Sequence, residues 1–306
     1  MRFAFQKLDG LGNDFVMIDN MDGSIELSPE QVIRICDRHF GIGADGVILV
    51  QQSPRPECVG YMNYINSDGT FAQMCGNGVR CFAKFLVDNG IACAEDGKLV
   101  ADTLAGPKPI AYELDDFGKL ERASVNMGSP IFDPSLIPID ADANGQSSNG
   151  TACVKDLPIG SPWGNFEFTA VSMGNPHAVC FIEDWDALPD ELFKDPSSKS
   201  LQSFDIDAIG SFYEANPIFP EKANIEFAEV GPHGIDMRVY ERGCGETLAC
   251  GTGACATRVA AAITGRAPNK GDVNLRGGTL CIDWSTEDEV VMAGPAEHTF
   301  SGSMEI

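Results

Sequence analysis

Residues 241–254 read Glu241-Arg242-Gly243-Cys244-Gly245-Glu246-Thr247-Leu248-Ala249-Cys250-Gly251-Thr252-Gly253-Ala254. A cysteine stands at the mouth of a glycine-punctuated turn, directly before an alanine-rich run with helical character. The same device occurs once earlier, at Asn66-Ser67-Asp68-Gly69-Thr70-Phe71-Ala72-Gln73-Met74-Cys75-Gly76-Asn77-Gly78. Two copies in one chain point to a site built from two halves, with Cys75 and Cys250 expected to face each other across a substrate.

Laid on one another without gaps, the stretches share Cys-Gly-x-Gly at Cys75 and Cys250, and Asn66 and Glu241 both stand nine residues upstream. Further back, Gly12-Asn13 pairs with Gly174-Asn175, each in a loop before a strand-like run, and Ala44-Asp45 pairs loosely with Ala223-Asn224. Features recurring in one order over this span indicate internal duplication.

The elements around these landmarks follow from local signals. Arg2 to Leu8 and Phe15 to Ile18 read as short strands about the loop Asp9 to Asp14. Ser28-Pro29 opens a helix expected to run to about His39, with Val32, Ile33, Ile35, Cys36 and Phe40 on its inner face. Gly41-Ile42-Gly43-Ala44-Asp45-Gly46 has the spacing of a dinucleotide fingerprint, but that fingerprint needs a strand before it and a helix after it. Here the order is reversed, and a nucleotide site is rejected. Helices are expected at Gly78 to Asn89 and Gly253 to Ile263, ended by Gly90 and Gly265. Around Met127 to Ala152 the chain turns rich in Pro, Asp, Asn, Gly and Ser, and Ser147 to Gly150 reads as an exposed loop tip. A domain boundary is expected near Gly128.

The length, 306 residues, suits two domains. A net charge of −24 repels phosphate backbones, and no local basic patch offsets it, so no nucleic-acid partner is expected. No stretch approaches the roughly 18–20 apolar residues of a membrane helix, and the N-terminus does not read as a secretory signal. No membrane partner and a cytoplasmic location are expected. In that setting the 11 cysteines do not suggest a disulfide framework. Without Cys-x-x-Cys or His-x-x-x-His no metal site is expected. Cys36, Cys93, Cys153, Cys180 and Cys281 read as small buried hydrophobes.

A helix N-terminus leaves backbone N–H groups unpaired and carries partial positive charge. Two consequences follow at each cysteine: the thiol pKa is expected to fall from about 8.5 toward 3.5–7.5, and the N–H groups can hold a carboxylate that the glycines let approach closely. This suits racemisation or epimerisation, one cysteine removing the α-proton as thiolate while the other protonates the opposite face as thiol. N–H donors around the developing dianion act as in an oxyanion hole. No cofactor is expected, since lysines are sparse near the glycine loops and a pyridoxal-phosphate Schiff base has no seat. His177, Glu241, Arg242, Asn13, Asn77, Asn175 and Asn224 lie on the duplicated loops and are further candidates.

At these residues the sequence resembles the diaminopimelate epimerase family. The resemblance is carried by Gly10-Leu11-Gly12-Asn13-Asp14-Phe15, Met74 to Cys81, Met173-Gly174-Asn175-Pro176-His177, Tyr240 to Gly243 and Ala249 to Ala254. It implies an α/β (α+β) fold of two pseudo-symmetric domains, each a mixed β-sheet rolled around a central helix. With the last strand returning to the first half, the domains would be 1–128 plus 296–306, carrying Cys75, and 129–295, carrying Cys250. It implies a PLP-independent isomerase that converts LL- to meso-diaminopimelate in lysine and peptidoglycan-precursor synthesis. Cys75 and Cys250 would be the acid/base pair, and Gly76, Asn77, Gly251 and Thr252 would hold the reacting carboxylate. Asn13, Asn66, Asn175, Asn224, Glu241 and Arg242 would bind the rest of the substrate, with His177 and Glu241 tuning the cysteines. The partner expected is a small amino-acid substrate, and a homodimer is a candidate assembly. Many members carry Gln where this chain has Gly46. A racemase of another amino acid on the same fold is the alternative, and from another class a redox or zinc-binding protein, which tightly bound zinc would reveal.

Overall fold

A computed structural model describes every residue except Gln73, Glu95, Ser148, Asn149 and Glu287. The chain divides into two units, Met1–Asn126 with Ala293–Ile306, and Met127–Met292. Gly128, where the composition changes, is the last residue of a strand, and the expected loop tip falls partly on Ser148 and Asn149, outside the described residues.

The first unit opens with strands β1 (Arg2–Gly10) and β2 (Asn13–Asp19), paired antiparallel through a two-residue turn. Both turn residues, Leu11 and Gly12, have positive φ (64° and 84°), as a tight hairpin that follows the strand twist requires. The strands therefore run further into the Asp9–Asp14 loop than apolar patterning indicates. Helix α1 (Pro29–Cys36) starts on a capping box in which Ser28 and Gln31 bond each other's backbone. It stops short of His39 because the Asp37 carboxylate accepts from the N–H groups of His39 and Phe40 and turns the chain. Ile33 and Phe40, expected on the inner face, are exposed. There follow β3 (Gly46–Gln51), β4 (Gly60–Asn66), α2 (Gly76–Asp88), β5 (Lys98–Asp102), β6 (Lys108–Leu114) and β7 (Leu120–Gly128). Pairing is parallel for β2–β3 and β4–β5 and antiparallel for β3–β4, β5–β6 and β6–β7.

Strand alternation gives this sheet two covered faces. Val16, Ile18, Val47, Leu49 and Ile65 pack with Val32 and Ile35 of α1. The other face receives α2, buried at every residue from Gly76 to Val87, as a helix surrounded by its own sheet must be.

The second unit begins with the short pair β8 (Gly145–Gln146) and β9 (Ala152–Cys153). It continues with β10 (Leu157–Ser161), β11 (Gly164–Ser172), β12 (Pro176–Phe181), α3 (Ile206–Glu214), β13 (Asn224–Gly231), β14 (Gly234–Glu241), β15 (Gly245–Glu246), α4 (Gly251–Ile263), β16 (Lys270–Leu275) and β17 (Gly278–Asp283). Its ladder repeats the first: antiparallel β11–β12, parallel β12–β13, antiparallel β13–β14, parallel β14–β16, antiparallel β16–β17. Ala178, Cys180, Ile225 and Phe227 pack with Ile206, Ile209 and Tyr213 of α3 on one face, and α4 lies buried on the other. After β18 (Val290–Pro295), β19 (Glu297–Glu305) pairs with β1 inside the first unit. Among the described residues no helix is long and apolar enough to cross a membrane, and no group of three or more His, Cys, Asp or Glu could hold a metal.

Candidate functional site in two halves

Cys75 is the N-cap of α2 and Cys250 the N-cap of α4, both in extended backbone (φ −139° and −120°). The first three residues of each helix therefore point N–H groups past a sulfur, the arrangement that favours a bound anion. Both helices start two residues earlier than the alanine-rich pattern indicates, because glycine weakens the helical signal without preventing the turn. Gly76, Asn77 and Gly251 are buried and Thr252 is half-buried.

In the first half, Cys75 Sγ donates to Asn13 Oδ1 at 3.5 Å, and Asn77 Nδ2 donates to the same oxygen at 3.3 Å. Asn13 is aimed by Asp45, whose Oδ2 accepts from Asn13 Nδ2 at 2.7 Å. Asp45 is held in turn by Arg38 (2.9 Å), which also binds Asp14 (2.7 Å), and Lys7 reaches Asp14 from inside the unit at 2.5 Å. Burial pushes the Asp14 carboxyl up, but the hydrogen bonds and charges of Arg38 and Lys7 outweigh it and leave the group below its ordinary value. Asn66 closes its own turn, Nδ2 donating to Thr70 Oγ1 at 3.1 Å. Arg80, fully buried on α2, donates from Nε to Pro295 O (3.0 Å) and from Nη1 to Gly76 O (3.4 Å), placing a cation beneath the first turn.

In the second half, Cys250 Sγ accepts from Gly253 N at 3.4 Å and lies 3.5 Å from Thr252 Oγ1. Here the expectation of an acidic thiol fails. Burial first, then the charges of Glu241 and Glu226, push Cys250 well above the ordinary thiol value, against the lowering effect of Thr252 and Gly253. Glu241 is itself raised, chiefly by burial, and accepts from Thr247 Oγ1 at 2.5 Å. Asn224 donates to Pro176 O (2.9 Å) and accepts from the backbone N–H of Arg242 (2.9 Å), which fixes the start of the turn. The Arg242 side chain is exposed, with Nη1 on Glu221 O at 3.1 Å. His177 is fully buried, with Nδ1 2.6 Å from Glu226 Oε1 and Nε2 3.1 Å from Asn175 Oδ1.

The ladder registers show which positions correspond. Phe15 pairs with Gly46 and Gly46 with Asn66, while His177 pairs with Asn224, whose neighbour Ile225 pairs with Tyr240 beside Glu241. Phe15, Gly46 and Asn66 thus hold the places of His177, Asn224 and Glu241, and Ile48 that of Glu226. Gly46 offers no side chain where the second unit has Asn224. A β-carbon there would stand 2.5 Å from Tyr64 Cε2 and 2.6 Å from Ile65 O, so the Tyr64 ring fills that space, edge-on to Phe15 at 5.5 Å between centroids. The halves share a backbone and differ in polarity: Arg80 lies under the first, whereas Cys255 holds its place in α4 and the buried Glu226 and half-buried Glu241 flank the second.

Asp45, Asp14, Lys7, Arg38, Thr247 and Glu226 did not emerge as site residues from patterning. Glu226 carried a signal, a charge inside the apolar strand run Ile225-Glu226-Phe227. Of the five cysteines read as buried hydrophobes, Cys36, Cys153 and Cys180 are buried, burial pushing Cys36 up to about 12. Cys93 is exposed, beyond the end of α2 where apolar neighbours do not make a core, and Cys281 on β17 is half-buried.

A mixed sheet wrapped on a buried helix, made twice, is a class of fold shared with solved epimerases and phenazine biosynthesis proteins. Over its whole length the chain superposes on a phenazine biosynthesis protein of the PhzF family from Bacillus anthracis (TM-score 0.64, 16% identity, all of both chains covered). A hydroxyproline epimerase from Agrobacterium vitis is similar to the same degree (TM-score 0.65, 12% identity, 99% of this chain and 91% of that one). At these identities the likeness is one of fold alone. At the level of sequence, the family model for diaminopimelate epimerase matches residues 5–132 and 169–299. The diaminopimelate epimerase of Leptospira biflexa is 41% identical over 307 residues, covering all of both chains. The chain belongs to the diaminopimelate epimerase family.

Proposed function

We propose that the chain interconverts LL- and meso-2,6-diaminopimelate without pyridoxal phosphate, using Cys75 and Cys250 as a two-base pair. The observation that carries this reading is the matched pair of helix N-termini, each capped by a cysteine in extended backbone. Family membership supplies the substrate.

The chemical difficulty is the weak acidity of the α-proton. The N–H groups at Gly76, Asn77, Gly251 and Thr252 take the reacting carboxylate and stabilise the charge that builds on it, one such donor contributing about 3–4 kcal/mol. One sulfur, as thiolate, removes the α-proton, and the other, as thiol, donates to the opposite face. The reverse reaction exchanges their roles. Asn13, Asn66, Asn175 and Asn224 orient the remaining polar groups of the substrate. Glu241 accepts from an ammonium, and Arg242 forks onto the distal carboxylate. His177 and Glu241 set the protonation of the cysteines. The activity fits lysine and peptidoglycan-precursor synthesis in the cytoplasm, and a homodimer is the assembly we assign.

The test is conversion of LL-diaminopimelate to the meso isomer by the purified chain with no added cofactor, followed by chiral chromatography. L-Proline and trans-4-hydroxy-L-proline run alongside. Turnover of diaminopimelate alone supports the reading. Turnover of an imino acid without diaminopimelate overturns it.

A further inference from the structure

We propose that Glu226 is a positioning residue of the Cys250 half-site, holding the His177 ring through Nδ1 and setting a buried carboxylate against the first turn of the helix that Cys250 caps. The inference rests on the two-base reading above and adds a residue to it.

Four observations converge. Glu226 is fully buried, and its Oε1 lies 2.6 Å from His177 Nδ1, so the ring has a fixed orientation and a fixed donor on that side. The same oxygen would stand 2.8 Å from a β-carbon built on Gly253, so the carboxylate lies against the first turn of the helix that Cys250 caps. Among the described residues Glu226 Oε2 has no hydrogen-bond partner, although it is buried. A buried carboxylate oxygen left in this state costs stability, and its persistence is explained when the charge itself is used. Lastly, Ile48 holds the equivalent ladder position and Phe15 that of His177, so the imidazole–carboxylate dyad belongs to one half only.

The charged groups that bear on Cys250 are Glu241 from β14 and Glu226 from β13, and His177 from β12 stands behind Glu226. His177 bonds Glu226 directly, and among the described residues no lysine or arginine pairs with either carboxylate. The charges of both carboxylates raise the Cys250 thiol, alongside its burial. Among the described residues Glu226 makes no hydrogen bond to the Cys250 sulfur, whose partners include Thr252 and Gly253, and acts through His177 and through its field. A structural carboxylate would need only to keep the strand in place. A positioning one must move the Cys250 titration when its charge is removed.

The experiment compares wild type, Glu226→Gln and Glu226→Asp, each shown to fold by circular dichroism. The rate of iodoacetamide labelling of Cys250 is followed against pH by peptide mass spectrometry. Glu226→Gln keeps the size and removes the charge, and the labelling midpoint is expected to fall by a pH unit or more. Glu226→Asp draws the charge back by one methylene and is expected in between, so it carries the test alone should the Gln variant not fold. A midpoint equal to wild type in the folded variants overturns the proposal, including where activity falls. Because labelling is read without turnover, this failure differs from failure of the two-base reading, which is decided by the activity of Cys75→Ala and Cys250→Ala.

Discussion

Gly78 and Gly253 occupy the same position, three residues after the cysteine cap in each central helix, yet alanine should have opposite effects at the two. Both have ordinary helical backbone, so each substitution gains about 1 kcal/mol of helix propensity. At Gly78 the new β-carbon would meet Met62 Cε at 2.9 Å and Ile48 Cδ1 at 3.3 Å. The first is the free end of a flexible side chain that can swing aside, so Gly78→Ala should be neutral or slightly stabilising. At Gly253 the β-carbon would meet Glu226 Oε1 at 2.8 Å, and Cys250 Cβ and Sγ each at 3.3 Å. That oxygen is pinned by His177 and has no room to retreat. Overpacking costs about 1–3 kcal/mol and loss of a charge-assisted bond about 1.5–3, so after the helical gain Gly253→Ala should lose about 2–4 kcal/mol. At about 2–4 °C per kcal/mol for a unit of this size, the variants should melt about 10 °C apart. Thermal melts by circular dichroism read this directly, and the epimerase rate of Gly253→Ala should fall at least about tenfold as Cys250 is displaced. Equal melting temperatures would refute the claim that Glu226 is fixed against the α4 turn.

Three further outcomes follow, one from the ion pairs of the first unit and two from the proposed two-base reaction. Asp14 has a lowered native pKa, so its contribution is present above about pH 4 and is lost as pH falls through the native value. The urea-midpoint difference between wild type and Asp14→Asn should accordingly be full at neutral pH and shrink in acid, and a difference independent of pH would contradict the assigned charge. Mild oxidation should inactivate the protein reversibly by joining Cys75 to Cys250. Peptide mapping that finds instead a disulfide of the exposed Cys93 or Cys244 as the inactivating one would count against the pair. Arg242→Ala should raise KM for diaminopimelate more than it lowers kcat, since the distal contact proposed for it would be made equally in ground and transition states. A large fall in kcat at constant KM would place Arg242 at the reacting centre.

Much of this was legible in the chain because glycine and cysteine spacing survives where other identities have diverged. Cys75-Gly76-x-Gly78 and Cys250-Gly251-x-Gly253 announce two cysteine-capped helices, and the strand runs around Val47 and Ile225 announce the sheets that bury them. Positive-φ positions were half visible: Gly12 declares itself, whereas Leu11 at φ 64° cannot be read from its side chain. The polarity of each half was not legible, because it is set by residues far apart in sequence. Arg80 reaches Pro295, Lys7 reaches Gly43, and Glu226 meets His177 across adjacent strands. Helix-end reasoning alone predicts an acidic Cys250. Only the two carboxylates folded in beside it, with its burial, reverse the direction.

The measurement that bears most directly on the two-base account is α-deuterium incorporation from D2O into LL-diaminopimelate, for wild type, Cys75→Ala and Cys250→Ala. Exchange and epimerisation should proceed together in the wild type, and epimerisation should be lost in both variants, since each lacks one face of the proton relay. Full epimerase activity surviving in either variant would contradict the assignment of that cysteine.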